Sequence, residues 1–107
     1  MRARRTDSNH AEIMAAFRKC GYAVHDTSRL GGGFPDLVVH RETILLVEVK
    51  DGRKPPSARK LTPNQVERRK TWTGGIHLVQ NLDDVARVAE TLRRWHRALS
   101  IKTVSVP

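Results

Sequence analysis

The sequence predicts one α/β domain, a mixed β-sheet flanked by helices in the order α-β-β-β-α-β-α, and three observations predict it. Two apolar runs rich in Val, Ile and Leu, 37–39 and 44–49, are separated by the polar residues His40 to Thr43, the pattern of a β-hairpin. Stretches with apolar residues at helical spacing lie on either side of them. The chain has 107 residues, 38% hydrophobic and 29% charged, enough apolar material for a single core and too much for a disordered chain. One domain spanning 1–107 is expected, with loose ends at 1–7 and 101–107, the latter as a short strand or disordered.

The first helix is expected from about Ser8 to Cys20, since Ile13, Ala16, Phe17 and Cys20 share one stripe and Gly21 supplies a stop. Tyr22 to Asp26 follows as a short strand, then a loop carrying Gly31, Gly32 and Gly33. If the hairpin turns near Glu42, residues whose numbers sum to 84 face one another, which sets Asp36 opposite Glu48 and Val38 opposite Leu46. Apolar residues on both faces of the hairpin predict cover on both sides. Residues 51–60 combine turn formers with cations and read as a loop. Thr62 then suits an N-cap, Pro63 the first helical position, and Gln65 completes a capping box. Ile76 to Gln80 is a further strand. Asn81 caps a last helix with the stripe Val85, Val88, Ala89, Leu92, Trp95 and Leu99, which puts His96 on a buried face. Asp83 with Arg87 and Glu90 with Arg94 are acid-before-base pairs on its solvated side.

Twenty Lys and Arg against 11 Asp and Glu give a formal charge of +9. Such a chain attracts polyanions, because each phosphate that it neutralises releases condensed counterions. Nucleic acid comes first, ahead of membrane surfaces and acidic proteins, which attract the same charge. No apolar run approaches the roughly 20 residues of a membrane span, and Arg2, Arg4 and Arg5 have no apolar stretch behind them. A soluble, unexported, cytoplasmic protein is expected. Cys20, the single cysteine, excludes an intramolecular disulfide, and the five His show no short zinc-site spacing.

Opposed residues of an antiparallel hairpin have Cβ atoms about 4.5–5.5 Å apart, so Asp36 and Glu48 converge on one face if the register holds. Two carboxylates at about 5 Å repel by roughly 3 kcal/mol at an effective dielectric near 20, and a hard divalent cation such as Mg²⁺ relieves that repulsion. Lys50, two residues after Glu48, projects from the same face. Acids, cation and ammonium together suit hydrolysis of a phosphodiester. Taken singly, Glu-x-Lys on a strand usually means a surface ion pair, and Pro-Asp an ordinary strand entry. The combination carries the weight.

Gly33-Phe34-Pro35-Asp36-Leu37-Val38-Val39, then Val47-Glu48-Val49-Lys50, then Leu61-Thr62-Pro63-Asn64-Gln65, resemble the successive motifs of the PD-(D/E)XK nucleases. The chain is most similar to small stand-alone virus-type replication-repair (VRR-NUC) nucleases and Holliday junction resolvase-like proteins, over roughly residues 9 to 90. The resemblance implies a restriction endonuclease-like core, dependence on Mg²⁺ with Mn²⁺ as substitute, hydrolysis of DNA backbones, often by a homodimer, and a bacterial or phage-infected cell. Asp36 and Glu48 match the metal-binding acids, Lys50 the catalytic lysine, and Val49 a residue whose carbonyl completes the metal shell. Glu12 matches a helical acid that reaches the metal, and Gln65 a helical glutamine near the site.

Both of these have a second reading as helix-capping residues, Glu12 with Asn9 and Gln65 with Thr62. Gly32 and Gly33 let a phosphate backbone approach or simply form a turn. Arg53, Lys54, Arg59 and Lys60 are candidate phosphate contacts, although a solvated loop has the same composition. The sequence thus predicts a metal-dependent endonuclease acting on structured DNA such as junctions or flaps. The alternative is a DNA-binding module with this fold and no catalysis.

Overall fold

The computed structural model describes residues 7–72 and 75–104, with side chains up to 95 and that of 97 in the last helix. The elements follow the predicted order. Helix α1 (His10–Lys19) leads to β1 (Ala23–Asp26) and a 3₁₀ turn at Ser28–Leu30. The hairpin β2 (Leu37–His40) and β3 (Ile44–Val49) is followed by a second 3₁₀ turn, Pro56–Ala58, and by α2 (Pro63–Lys70). Strand β4 (Ile76–Val79) and α3 (Leu82–Val104) complete the fold.

The sheet order is β1-β2-β3-β4. The first three strands are antiparallel, and β4 joins β3 in parallel, so the sheet is mixed. In the hairpin Leu37 faces Val47, Val38 faces Leu46 and Val39 faces Leu45, the register expected from the turn. Alternation then sends Leu37, Val39, Leu45, Val47 and Val49 into one face, where they meet Ile13 and Phe17 of α1 and Val85 and Ala89 of α3. Phe17 is fully buried and packs edge-on against Tyr22 at 5.7 Å.

The opposite face carries Val38, Leu46 and the chemistry-bearing residues, and its cover is partial. Helix α2 has eight residues and spans about 12 Å, so it protects one end of the hairpin only. Ile44, at the other end, is 70% exposed. The expectation of cover on both sides holds only for the end nearest α2.

Several boundaries and contacts differ from expectation. Helix α1 begins at His10, and Asn9 makes no side-chain cap bond; its amide donates instead to the carbonyls of Lys50 (3.2 Å) and Gln80 (3.1 Å). The capping-box reading of Glu12 therefore fails. Gly21, with φ of 89°, ends the helix as expected. The last helix continues through Val104, so 101–104 are helical and not a strand, while 1–6 and 105–107 lie outside the described residues. Its 23 residues extend about 35 Å, far beyond a four-residue strand of about 13 Å. Val85 and Ala89 are buried accordingly, whereas Trp95 is 56% exposed. The side chains of His96 and Leu99 lie outside the described residues. Arg87 pairs with Asp84, not Asp83, and Glu90 accepts from both Arg94 (3.2 Å) and Arg93 (3.3 Å).

Candidate active site

Asp36 stands at the residue before β2. Thr27, just past β1, holds this entry: its N–H donates to the Asp36 carbonyl at 2.9 Å and its hydroxyl to the Pro35 carbonyl at 2.8 Å. The hairpin register continued by one step sets Asp36 across from Glu48. The Asp36 side chain is turned inward, where its Oδ2 accepts the Val49 N–H at 2.9 Å. Asp36, Glu48 and Lys50 are all buried. Lys50 stays tied to the sheet, since its N–H donates to the Val79 carbonyl at 3.1 Å. Its Nζ lies 3.7 Å from Glu48 Oε2.

Gln65 reaches this pair from α2 and is itself 2% exposed. Its Nε2 donates to Glu48 Oε2, and its Oε1 accepts from Lys50 Nζ at 3.1 Å. The same Oε1 accepts the Thr62 N–H at 2.9 Å, while the Gln65 N–H donates to Thr62 Oγ1 at 3.2 Å. The capping box and the contact with Glu48 and Lys50 are thus one arrangement. Capping fixes the side chain in the conformation that spans the buried acid and ammonium, so the two sequence readings of Gln65 do not compete.

The seat of α2 depends on Gly33. Its φ is +81°, and a Cβ there would stand 2.2 Å from the Asn64 carbonyl oxygen and 2.8 Å from the Gln65 nitrogen. The close approach is to the backbone of α2. Gly32 is exposed, and its carbonyl accepts from Arg68 at 3.3 Å.

Glu12 is not brought to the hairpin acids. It is exposed on α1 and lines a polar recess with Asn9, Asp51, Arg53 and Gln80. Among the described residues, no group of three or more His, Cys, Asp and Glu is arranged to hold a metal. The loop cations are engaged to different degrees. Arg53 pairs with Asp51 at 3.1 Å, Lys54 with Asp7 at 3.1 Å, and Arg59 donates to Gln80 Oε1 at 2.8 Å. Lys60 is exposed. Asp51 is buried and accepts from Arg53 and Ser8, whose hydrogen bonds hold its carboxyl well below the usual range. Nothing in the sequence flagged Asn9 or Asp51 as part of the frame around this site.

At the end of β1, Asp26 accepts from the Ser28 N–H (3.0 Å) and hydroxyl (2.6 Å) and faces His10 Nε2 at 3.3 Å. Burial raises its pKa, but the Ser28 bonds and His10 outweigh that and leave it lowered. A carboxylate lowered in the folded state contributes stability above its ordinary value of 3.8, and loses it as pH falls below that value toward the folded one. Asp26→Ala is therefore expected to lower the melting temperature at pH 7, with the gap to the parent narrowing below about pH 3.8. A gap that stayed constant down to pH 2.5 would show that the charge of Asp26 contributes nothing.

No family model matches the chain, and no curated protein matches it. A solved structure described as a VRR_NUC domain is similar: 26% identical, covering 78% of this chain and 97% of that one, with a TM-score of 0.54. No helix among the described residues is long and apolar enough to cross a membrane. Likeness over nearly the whole of that domain joins the buried Asp36, Glu48 and Lys50 on a four-stranded mixed sheet, and the chain is thus similar in fold to a VRR-NUC domain, the likeness its motifs predict.

Proposed function

We propose that the chain is a Mg²⁺- or Mn²⁺-dependent DNA endonuclease, with structured DNA such as junctions or flaps as substrate. The observation that carries the reading is the gathering of Asp36, Glu48 and Lys50 on one sheet face, with Gln65 spanning the last two. A pure DNA binder has no use for buried acids that repel phosphate. The donor set suits a hard cation: Asp36, Glu48 and the Val49 carbonyl supply oxygen only, and Mg²⁺ is commonly bound through one or two carboxylates plus substrate phosphates and water. Those three groups would hold the ion. When bound, it supplies Lewis acidity at the phosphoryl oxygen and lowers the pKa of water.

The remaining work falls to the chain. Lys50 sets a positive charge where negative charge develops as water attacks phosphorus in line with the leaving oxygen. Gln65 fixes the directions of Lys50 and Glu48. Arg53, Lys54, Arg59 and Lys60, with the exposed Gly32 backbone, offer phosphate contacts beside the site, while Glu12, in its separate recess, takes no part in holding the ion. Cutting opposed strands of a junction requires two sites, which a homodimer provides. The test is incubation with four-way, flapped and linear DNA. Cleavage is expected with Mg²⁺ or Mn²⁺ and none after EDTA. Retention of DNA without cutting under any divalent ion would instead support a binding module.

A further inference from the structure

Beside the buried acids stands a second, partly exposed group of side chains that the chemistry above does not use. Phe34, two residues before Asp36, meets the Trp72 ring edge-on at 6.1 Å. The Arg68 guanidinium lies 5.7 Å from the Phe34 ring centroid and donates to the Gly32 carbonyl. Trp72 is 36% exposed. Arg68 is one helical turn beyond Gln65 and Trp72 lies just past the end of α2, so the helix that completes the site also carries this cluster. A large ring left partly in solvent, as Trp72 is, marks a contact surface, and the last turn of α2 beside it is basic, with Arg69 donating to the Ile76 carbonyl at 2.9 Å and Lys70 paired with Glu67 at 2.9 Å.

We propose that Trp72 and Phe34, with Arg68, form a stacking platform for an unpaired nucleobase next to the cleaved phosphodiester. This rests on the nuclease reading and narrows its substrate class to DNA in which a base is unstacked at the cleavage point, as at a flap or junction. An aromatic face takes any base, and an adjacent guanidinium adds cation–π attraction and a phosphate contact. A paired base inside a duplex presents no free face to such a platform. The competing occupant is a second copy of this chain, because Trp72 also borders a recess shared with Ile44 and Trp95. A formal charge of +9 on each copy and three cations on α2 favour the polyanion.

The experiment reads binding without cutting, so that it stands apart from catalysis. The full chain carrying Trp95→Phe leaves Trp72 as its single tryptophan. In EDTA, its fluorescence is titrated with a single-stranded thymidine oligonucleotide, with an abasic oligomer of equal length and charge, and with a blunt duplex. Saturable quenching by the thymidine strand alone is expected. Trp72→Ala, read by fluorescence anisotropy of a labelled strand, is expected to weaken binding about fivefold or more, and Trp72→Phe to retain most of it. Equal quenching by the abasic oligomer would overturn the proposal. So would unchanged affinity in Trp72→Ala, or a shift in sedimentation of that variant with strand binding intact. Absence of DNA cleavage with every divalent ion would refute the nuclease reading while leaving the stacking result standing.

Discussion

Asp36→Asn and Lys50→Ala are each expected to reduce DNA cleavage by about 10²-fold or more, the scale on which preorganised charge at a reacting centre is lost. The two substitutions differ in what else they change. An asparagine in place of Asp36 would keep an oxygen able to accept the Val49 N–H, now bonded at 2.9 Å, so strand pairing at this point survives and the melting temperature should stay near the parent's. Lys50→Ala removes the ammonium that stands against Glu48 and Gln65, leaving the buried Glu48 carboxylate without that cation, at a cost of about 1–3 kcal/mol. Initial rates on labelled DNA, read beside thermal melts and retention of the same DNA, separate these effects. Binding should persist in both variants. Cleavage by Asp36→Asn at the parent's rate would remove that residue from the reaction.

What the sequence made legible was whatever is encoded locally. The polar stretch 40–43 between two apolar runs predicted the hairpin register, and with it the opposition of Asp36 and Glu48. Thr62, Pro63 and Gln65 are consecutive enough to announce a helix start, and the structure shows that cap. The less legible features join residues far apart in the chain. Asn9 bonds to carbonyls 41 and 71 positions away, and a chain seen in one dimension offers only its local reading, as a helix cap. Trp95 continues the apolar stripe of α3, but periodicity carries no information about where the supporting sheet ends. Glu12 was singled out only by the family resemblance, and the direction in which α1 presents it depends on packing that no motif records. Gln65 shows the reverse: two local readings were in competition until the tertiary structure merged them.

Gly33→Ala tests that merger through the backbone. An added Cβ would fall 2.2 Å from the Asn64 carbonyl oxygen, and backbone at the start of a capped helix cannot move aside as a flexible side chain does. Overpacking of this kind costs about 1–3 kcal/mol, and the left-handed φ of +81° adds about 1–2 kcal/mol for a residue with a Cβ. For a domain of this size the sum corresponds to a fall in melting temperature of about 10 °C or more. Gly32→Ala is the control, because its φ of +60° brings the same kind of strain while the nearest atom to its Cβ is the Arg68 side chain at 3.5 Å. Gly33→Ala should therefore melt well below Gly32→Ala. Cleavage should fall with it even at temperatures where the variant remains folded, because relief of the clash pushes the start of α2 outward and carries Gln65 away from Glu48 and Lys50. Equal melting of the two variants would mean that the close contact between the glycine loop and α2 does not hold Gln65 in place, and its grip on the acid and ammonium would need another origin.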